Sequence, residues 1–195
     1  MTFEEKTNLY DFLSDRLTPH KRDLFTKKAS QRTNQICVFT ENLREDHNAS
    51  ALLRTADAFG LNRVYALEEK HFFMVQPNIS KRAEKWLQVT QVDEGENRRK
   101  AILENIRKQG YAIWAAMPNE NSFPVAQIPM DKPVAILLGN EVHGISEDLV
   151  AECDGSFTIP MRGYVESFNV SVSLGIILGV LDTVNDFSKY PLTEE

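Results

Sequence analysis

Cysteine and long apolar runs are scarce in this sequence. Its 195 residues include only two cysteines, Cys37 and Cys153, which are too few for a disulfide framework and form no CxxC pair. The longest apolar stretch, 170–184, contains serine, aspartate and threonine and is too short to cross a bilayer. The first residues lack the basic segment and apolar run of a secretory signal. We therefore expect a cytoplasmic protein with reduced thiols and no membrane association.

The signatures of several enzyme classes are also missing. The four histidines are scattered and form no HExxH pair, so we expect no metal site. A dinucleotide-binding enzyme would carry GxGxxG after its first strand, yet residues 41–47 contain no glycine. The loop 139–146 resembles a phosphate loop, but Ile145 stands where the lysine is required. The missing lysine excludes ATP or GTP hydrolysis. The backbone of the loop could still bind another ligand.

The remaining composition and patterning indicate a globular α/β fold. Apolar residues make up 42% and charged residues 26% of the chain. Strand and helix patterns alternate, which predicts a parallel sheet. The predicted strands are 36–40, 63–67, 86–92, 111–116, 133–138 and 157–159, and the predicted helices are 3–30 (broken at Pro19), 48–59, 97–109, 146–152 and 169–187. We divide the chain into a helical N-terminal extension, 1–32, and a sheet domain, 33–195.

Three segments that follow predicted strands are unusually rich in small and polar residues. The first, 48–60, carries Asn48 and Arg54 near the start of a helix. The second, 138–146, places two glycines around Glu141, and the third, 159–171, crowds polar side chains at the start of an apolar helix. Each polar residue taken alone could be a helix cap or a surface group. Together they predict a ligand site, because open parallel sheets bind ligands at the carboxyl ends of their strands.

The charge distribution gives a second, weaker indication of function. The net charge of −6 argues against general nucleic-acid binding. Between Arg16 and Arg32, however, six basic residues accompany one acid, for a local charge of +5. This run is either a solvated helix face or a patch that follows phosphates. The six basic residues are Arg16, Lys21, Arg22, Lys27, Lys28 and Arg32.

The three polar segments resemble, in order and spacing, the three motifs of the SpoU (TrmH-like) family of the SPOUT RNA methyltransferases. The stretches HNASALLRTADAFG (47–60), GNEVHG (139–144) and the segment 159–171 carry the resemblance. Within the family, the first stretch and AEKWLQV (83–89) are most similar to the TrmH type, which methylates the ribose 2′-OH of a guanosine in the tRNA D-loop. The chain departs from the family's usual residues at Glu166 and Phe168.

The resemblance implies a Rossmann-like parallel sheet whose C-terminal part forms a deep trefoil knot. It also implies an S-adenosylmethionine (SAM) cofactor, a homodimer with the active site near its interface, and an RNA partner, with tRNA expected. The residues it assigns to catalysis are Arg54, Asn48, Glu141, Ser167 and Asn169. Those it assigns to the cofactor are Ala116, Leu138, Gly139, Ile159, Met161 and Phe168.

Two alternatives remain open at this point. The same chemistry could act on ribosomal RNA, or the chain could be a catalytically silent, knotted RNA-binding protein. The presence of all five polar residues assigned to catalysis argues against the silent protein.

Overall fold

The computed structural model describes residues 2–68, 73–91, 97–119 and 122–192, whose strands form one parallel sheet. The strand order is β3-β2-β1-β6-β4-β7-β5, and every neighbouring pair is parallel. The predicted α/β parallel sheet is therefore confirmed. Its strands are β1 Ile36–Glu41, β2 Arg63–Leu67, β3 Gln88–Gln91, β4 Ala112–Ala116, β5 Phe123–Pro124, β6 Val134–Leu138 and β7 Gly155–Thr158.

Two N-terminal helices precede the sheet, and the later helices cover both of its faces. They are α1 Phe3–Ser14, α2 Pro19–Ser30, α3 Asp46–Ala58, α4 Pro77–Ser80, α5 Arg98–Lys108, α6 Glu147–Ala151 and α7 Val170–Asn185. Pro19 separates α1 from α2 as predicted. It is the first residue of α2, where its missing N–H costs nothing, and the Thr18 hydroxyl caps that helix.

Two predictions about strands need correction. Trp86 does not begin the third strand, because residues 83–85 form a short 3-10 helix that ends at Trp86, and β3 starts at Gln88. Val92, the last residue of that prediction, lies outside the described residues. The sequence pattern also missed β5, whose two residues pair only with β7, about 34 residues further along the chain.

Two apolar layers hold the helices against the sheet. On one face, Leu52 and Leu53 of α3 and Leu174 of α7 pack on β1 and β6. On the other face, Ile102 and Ile106 of α5 form the second layer. All these side chains are fully buried. The carboxyl ends of the central strands consequently open onto the loops that carry the three polar segments.

No helix within the described part of the chain is both long enough and apolar enough to cross a membrane.

Candidate active site

A chain of side-chain hydrogen bonds joins the three polar segments. The Asn48 amide nitrogen donates to Glu141 Oε1 at 2.7 Å. The Asn169 amide nitrogen donates to Asn48 Oδ1 at 2.8 Å. These residues lie 93 and 121 positions from Asn48 along the sequence. The fold thus brings together three of the five residues predicted to be catalytic, at the carboxyl edge of the sheet.

The Glu141 loop is held in a closed turn by backbone geometry. Asn140 and Gly144 exchange two backbone hydrogen bonds of 2.9 Å. The loop returns so closely that a Cβ on Gly139 would lie 2.3 Å from the Gly144 carbonyl carbon. Gly144 itself has a φ of +70°, which glycine adopts without strain. Both glycines therefore fix the loop that positions the Glu141 carboxylate.

Asn140 organises this loop and was not among the predicted site residues. Its Oδ1 accepts hydrogen bonds from the Val142 and His143 backbone N–H groups at 2.8 and 3.0 Å. Its amide nitrogen donates to the Asn42 carbonyl at 2.6 Å, which ties the loop after β6 to the loop after β1. An asparagine directly after the glycine that ends a buried strand is the sequence signal that could have identified it.

Two carboxylates, the exposed Glu141 and the buried Glu68, hold the loop between β1 and α3. The Arg44 backbone N–H donates to Glu141 Oε2 at 3.2 Å, and the Leu43 N–H donates to Glu68 Oε1 at 3.3 Å. Glu68 is 9% exposed. Burial, with smaller contributions from the charges of Glu141 and Glu41, raises the pKa of Glu68 to about 7. Glu68 was not predicted as part of the site.

Glu41, a second carboxylate missed by the sequence analysis, supports the far side of the same loop. It is buried at the end of β1, and its two oxygens accept hydrogen bonds from the Ser146 backbone N–H and hydroxyl at 2.8 and 2.6 Å. Ser146 is the N-cap residue of α6, but its hydroxyl donates to Glu41 and does not cap the helix. A charged residue at the end of a mostly apolar strand is the signal that could have revealed Glu41.

Asn169 couples the site to the long helix α7. Its Oδ1 caps that helix by accepting from the Ser171 N–H at 3.0 Å and from the Ser171 hydroxyl at 2.7 Å. The cap fixes the orientation of the amide, so its nitrogen faces Asn48. Breaking the cap would therefore also disturb the Asn48–Glu141 contact.

Arg54 and Ser167 lie apart from this hydrogen-bonded chain. Six residues of α3 separate Asn48 from Arg54, a rise of about 9 Å along the helix axis. Both Arg54 and Ser167 are exposed, and neither side chain makes a hydrogen bond or ion pair with another described residue. Within one chain, both side chains are available to a ligand or a second protomer.

The residues predicted to bind the cofactor gather at three neighbouring strand ends. Ala116, at the end of β4, pairs with Phe157 of β7, and the preceding Ala115 pairs with Leu137 of β6. Leu138 is buried, whereas Ile159, Met161 and Phe168 are partly or well exposed. The backbone of residues 160–168 forms no hydrogen bond to other described residues, so its N–H and C=O groups are available to a ligand.

These apolar side chains and free backbone groups fit the adenosine part of a nucleoside cofactor. Adenine needs apolar surfaces against its ring faces and hydrogen-bonding groups at its edge. The exposed apolar side chains supply the surfaces, and the unpaired backbone of residues 160–168 supplies donors and acceptors.

The six predicted RNA-binding residues differ in how the structure uses them. Lys21, Lys27 and Lys28 are exposed on α2, and their ammonium groups have no partner among the described residues. Arg16 and Arg22 are exposed and donate to backbone carbonyls, and Arg16 also lies 3.4 Å from the centre of the Phe12 ring. Arg32 is different, because its side chain is only 16% exposed and forms an ion pair with Asp57 at 2.8 Å.

The parallel sheet and the polar site at its carboxyl edge define a ligand-binding α/β protein. A family model described as the SpoU rRNA methylase family matches residues 35–179, and the chain belongs to this family. The match spans all three polar segments and leaves the two N-terminal helices outside it.

Two curated relatives and one solved structure are similar over most of the chain. A tRNA (guanosine(18)-2′-O)-methyltransferase of Aquifex aeolicus is 33% identical over 76% of this chain and 69% of its own length. An enzyme of the same name from Thermus thermophilus is 31% identical over 83% of this chain and 81% of its own length. The crystal structure of an A. aeolicus TrmH/SpoU tRNA-modifying enzyme aligns with a TM-score of 0.77, at 28% identity, over 90% of each chain.

Proposed function

We propose that this protein is a SAM-dependent RNA 2′-O-methyltransferase and that its substrate is a guanosine in the D-loop of tRNA. The observation that carries the proposal is the hydrogen-bonded chain Glu141–Asn48–Asn169, which unites all three motifs of the family at one edge of the sheet. Family membership and relatives named for methylation of guanosine 18 support the tRNA substrate.

Bound SAM supplies a methyl group already activated by the positive sulfur, so the protein mainly has to align the acceptor. We assign contact with the adenosine to Ala116, Leu138, Gly139, Ile159, Met161 and Phe168. The fit of these strand ends to a nucleoside supports that assignment. The same segment is where the family's trefoil knot would lie, and we propose the knot for this chain.

The ribose 2′-OH is a weak nucleophile and must lose its proton as the new bond forms. A guanidinium stays protonated and cannot accept this proton, so Arg54 acts by binding phosphate and stabilising the developing alkoxide. A phosphate oxygen of the RNA or a water molecule accepts the proton. Both Glu141 oxygens already accept hydrogen bonds, from Asn48 and Arg44. This supports Glu141 as a positioning residue, with Asn48 and Asn169, for the RNA that Arg54 and Ser167 contact.

A homodimer would complete the site. Tyr164, Val165 and Val172 are exposed apolar residues on or beside the third polar segment, and Tyr164 is fully exposed. Exposed apolar side chains grouped in this way are typical of an interface. We propose that a second protomer covers them and that the active sites lie beside the dimer interface.

The basic helix α2 is proposed to contact the tRNA. The exposed Lys21, Lys27 and Lys28 are the residues of the N-terminal extension that fit phosphate binding best, because no described residue binds their ammonium groups. Arg16 and Arg22 remain exposed beside them. The proposed division into an extension of residues 1–32 and a catalytic domain of residues 33–195 follows from this assignment.

The experiment that tests the function is methyl transfer from labelled SAM to unmodified tRNA and, in parallel, to ribosomal RNA. We expect labelling of tRNA by the wild type and its loss in Arg54→Ala, with unchanged SAM binding. Labelling of ribosomal RNA alone would support the proposed 2′-O-methylation but contradict tRNA as the substrate. SAM binding without transfer to either RNA would favour a silent RNA-binding protein.

A further inference from the structure

An exposed group of aromatic and basic side chains lies at the amino ends of the strands, opposite the candidate active site. We call it the amino-edge surface and define it as Phe25, Lys81, Arg82, Lys85 and Trp86. The Phe25 and Trp86 rings lie 5.7 Å apart at 43°. Trp86 is 54% exposed, which is unusual for the largest apolar side chain. Neither ring belongs to the catalytic site described above.

The backbone beneath this surface is firmly anchored. The buried Ser80 hydroxyl donates to Glu84 Oε2 at 2.6 Å and accepts from the Arg82 N–H at 3.2 Å. Ala83 and Leu87 are buried on the core side of the turn. Lys81, Arg82, Lys85 and Trp86, which flank these two residues in the sequence, are exposed to solvent.

Two of the basic residues stand in a strained conformation. Lys81 has a φ of +54° and Arg82 a φ of +67°, the left-handed region that residues with a Cβ rarely occupy. Glycine would adopt both conformations without strain, and stability alone therefore favours glycine here. The turn therefore holds two long cationic side chains at a cost in backbone strain.

We propose that the amino-edge surface binds an unpaired, stacked segment of the tRNA outside the loop that is methylated. Trp86 would stack on an exposed base, and Lys81, Arg82 and Lys85 would contact the flanking phosphates. This inference rests on the proposed function, since it takes tRNA as the substrate. Lys21 and Lys28 lie one helical turn before and after Phe25 and extend the basic surface along α2.

The location of the surface gives it a distinct role. A strand of five residues spans roughly 17 Å, so this contact lies about that far from the reacting ribose. A small RNA that contains only the methylated loop could not reach both edges of the sheet. The amino-edge surface would therefore favour a large, folded RNA and contribute to substrate binding without entering the chemical step.

RNA fits this surface better than a second copy of the chain. In a two-fold symmetric contact, the surface would meet itself, and three cations would face three cations. Glu84, the acidic residue in this segment, already accepts a hydrogen bond from Ser80. Polyanionic RNA is complementary to the same charges. The aromatic rings serve an RNA ligand because every base has a face on which they can stack.

The test measures dissociation constants of full-length protein with unmodified tRNA at fixed salt. We expect Trp86→Ala to weaken tRNA binding by between about fivefold and a hundredfold, the range found for single stacked bases. Trp86→Phe should restore most of the affinity because it keeps an aromatic face. Lys108→Ala, an exposed lysine of α5 on the other face of the sheet, should bind tRNA as the wild type does.

Sedimentation and methylation distinguish the remaining outcomes. The proposal would be overturned if Trp86→Ala bound tRNA as tightly as the wild type does. It would also be overturned if the substitution changed the oligomeric state, because that would indicate a contact between protomers. If the wild type binds tRNA through Trp86 but transfers no methyl group, the surface stands and the proposed activity fails. If the wild type methylates tRNA and Trp86→Ala binds it normally, the surface alone fails.

Arg82→Gly separates a binding role from a structural one. It removes one phosphate contact and also relieves the left-handed backbone. We expect an unchanged or higher melting temperature, weaker tRNA binding, and a slope of log affinity against log salt that is smaller by about 0.7–0.9. A lower melting temperature with unchanged tRNA affinity would contradict the proposal.

Discussion

Replacing Asn48 with aspartate changes one atom of the hydrogen-bonded chain and tests the site directly. In Asn48→Asp, the group that donates to Glu141 at 2.7 Å becomes a carboxylate oxygen, while the oxygen that accepts from Asn169 is retained. Glu141 is exposed and Asn48 partly exposed, so solvent screens the repulsion between the carboxylates. We expect unfolding to become easier by only about 1 kcal/mol, which corresponds to a melting-temperature decrease of roughly 2–4 °C.

Methyl transfer should respond far more strongly than stability. Displacement of a positioning group by about 1 Å can reduce the rate on the order of a hundredfold, and we expect a loss of at least this size in kcat/KM for tRNA. Asn62→Asp is the matched control, because Asn62 makes a similar side-chain bond, to Asn34 at 3.1 Å, at the opposite edge of the sheet. Equal losses of activity in the two variants, or near wild-type turnover by Asn48→Asp, would refute the reasoning.

Three further predictions concern the loop, the buried carboxylate and the basic segment. Gly139→Ala should lower the melting temperature and abolish methylation, because its Cβ would lie only 2.3 Å from the Gly144 carbonyl carbon. Gly163→Ala, with open space around its Cβ, should melt at the same temperature as the wild type. Equal melting temperatures of the two variants would contradict the close approach at Gly139. The pKa of Glu68 is about 7 in the folded protein, compared with a usual value of 4.5. Between these two pH values the folded state binds more protons than the unfolded state, so the stability of the fold should decrease as the pH rises from 4.5 to 7. Denaturant titrations should show that Glu68→Gln lacks this decline and exceeds the wild type in stability at pH 8; parallel profiles would show that Glu68 is ionised normally. Arg32→Met should cost about 1–3 kcal/mol of stability by breaking a largely buried ion pair, with little effect on tRNA affinity. Lys28→Ala should weaken tRNA binding and leave stability nearly unchanged. Weaker tRNA binding by a well-folded Arg32→Met variant would show instead that Arg32 contacts the RNA.

Local patterns predicted most of the sheet because its central strands are short, mostly apolar and buried on both faces. The fully buried run Ile36–Glu41 and the apolar run Val134–Leu138 are visible in the sequence for this reason. Trp86 was misassigned because its apolar character is typical of a strand, while the turn before it depends on a buried serine and two left-handed residues. β5 could not be found, since its two residues are a strand only through their partner β7.

The site was predictable as a set of residues but not as an arrangement. The motifs indicated Asn48, Glu141 and Asn169, yet their mutual hydrogen bonds span about 93 to 121 residues and depend on the order of the strands. Charge patterning likewise grouped Arg32 with the exposed lysines of α2. Its ion pair with Asp57 on α3 is a tertiary contact that no local pattern contains.

The most direct measurement of the central claim uses two tRNA transcripts that differ only at the D-loop guanosine. One carries the normal ribose, and the other carries 2′-deoxyguanosine, which lacks the oxygen that accepts the methyl group. With labelled SAM and the wild-type protein, the account predicts methylation of the first transcript at that ribose and no incorporation into the second. Equal incorporation into both transcripts would contradict 2′-O-methylation of the D-loop guanosine.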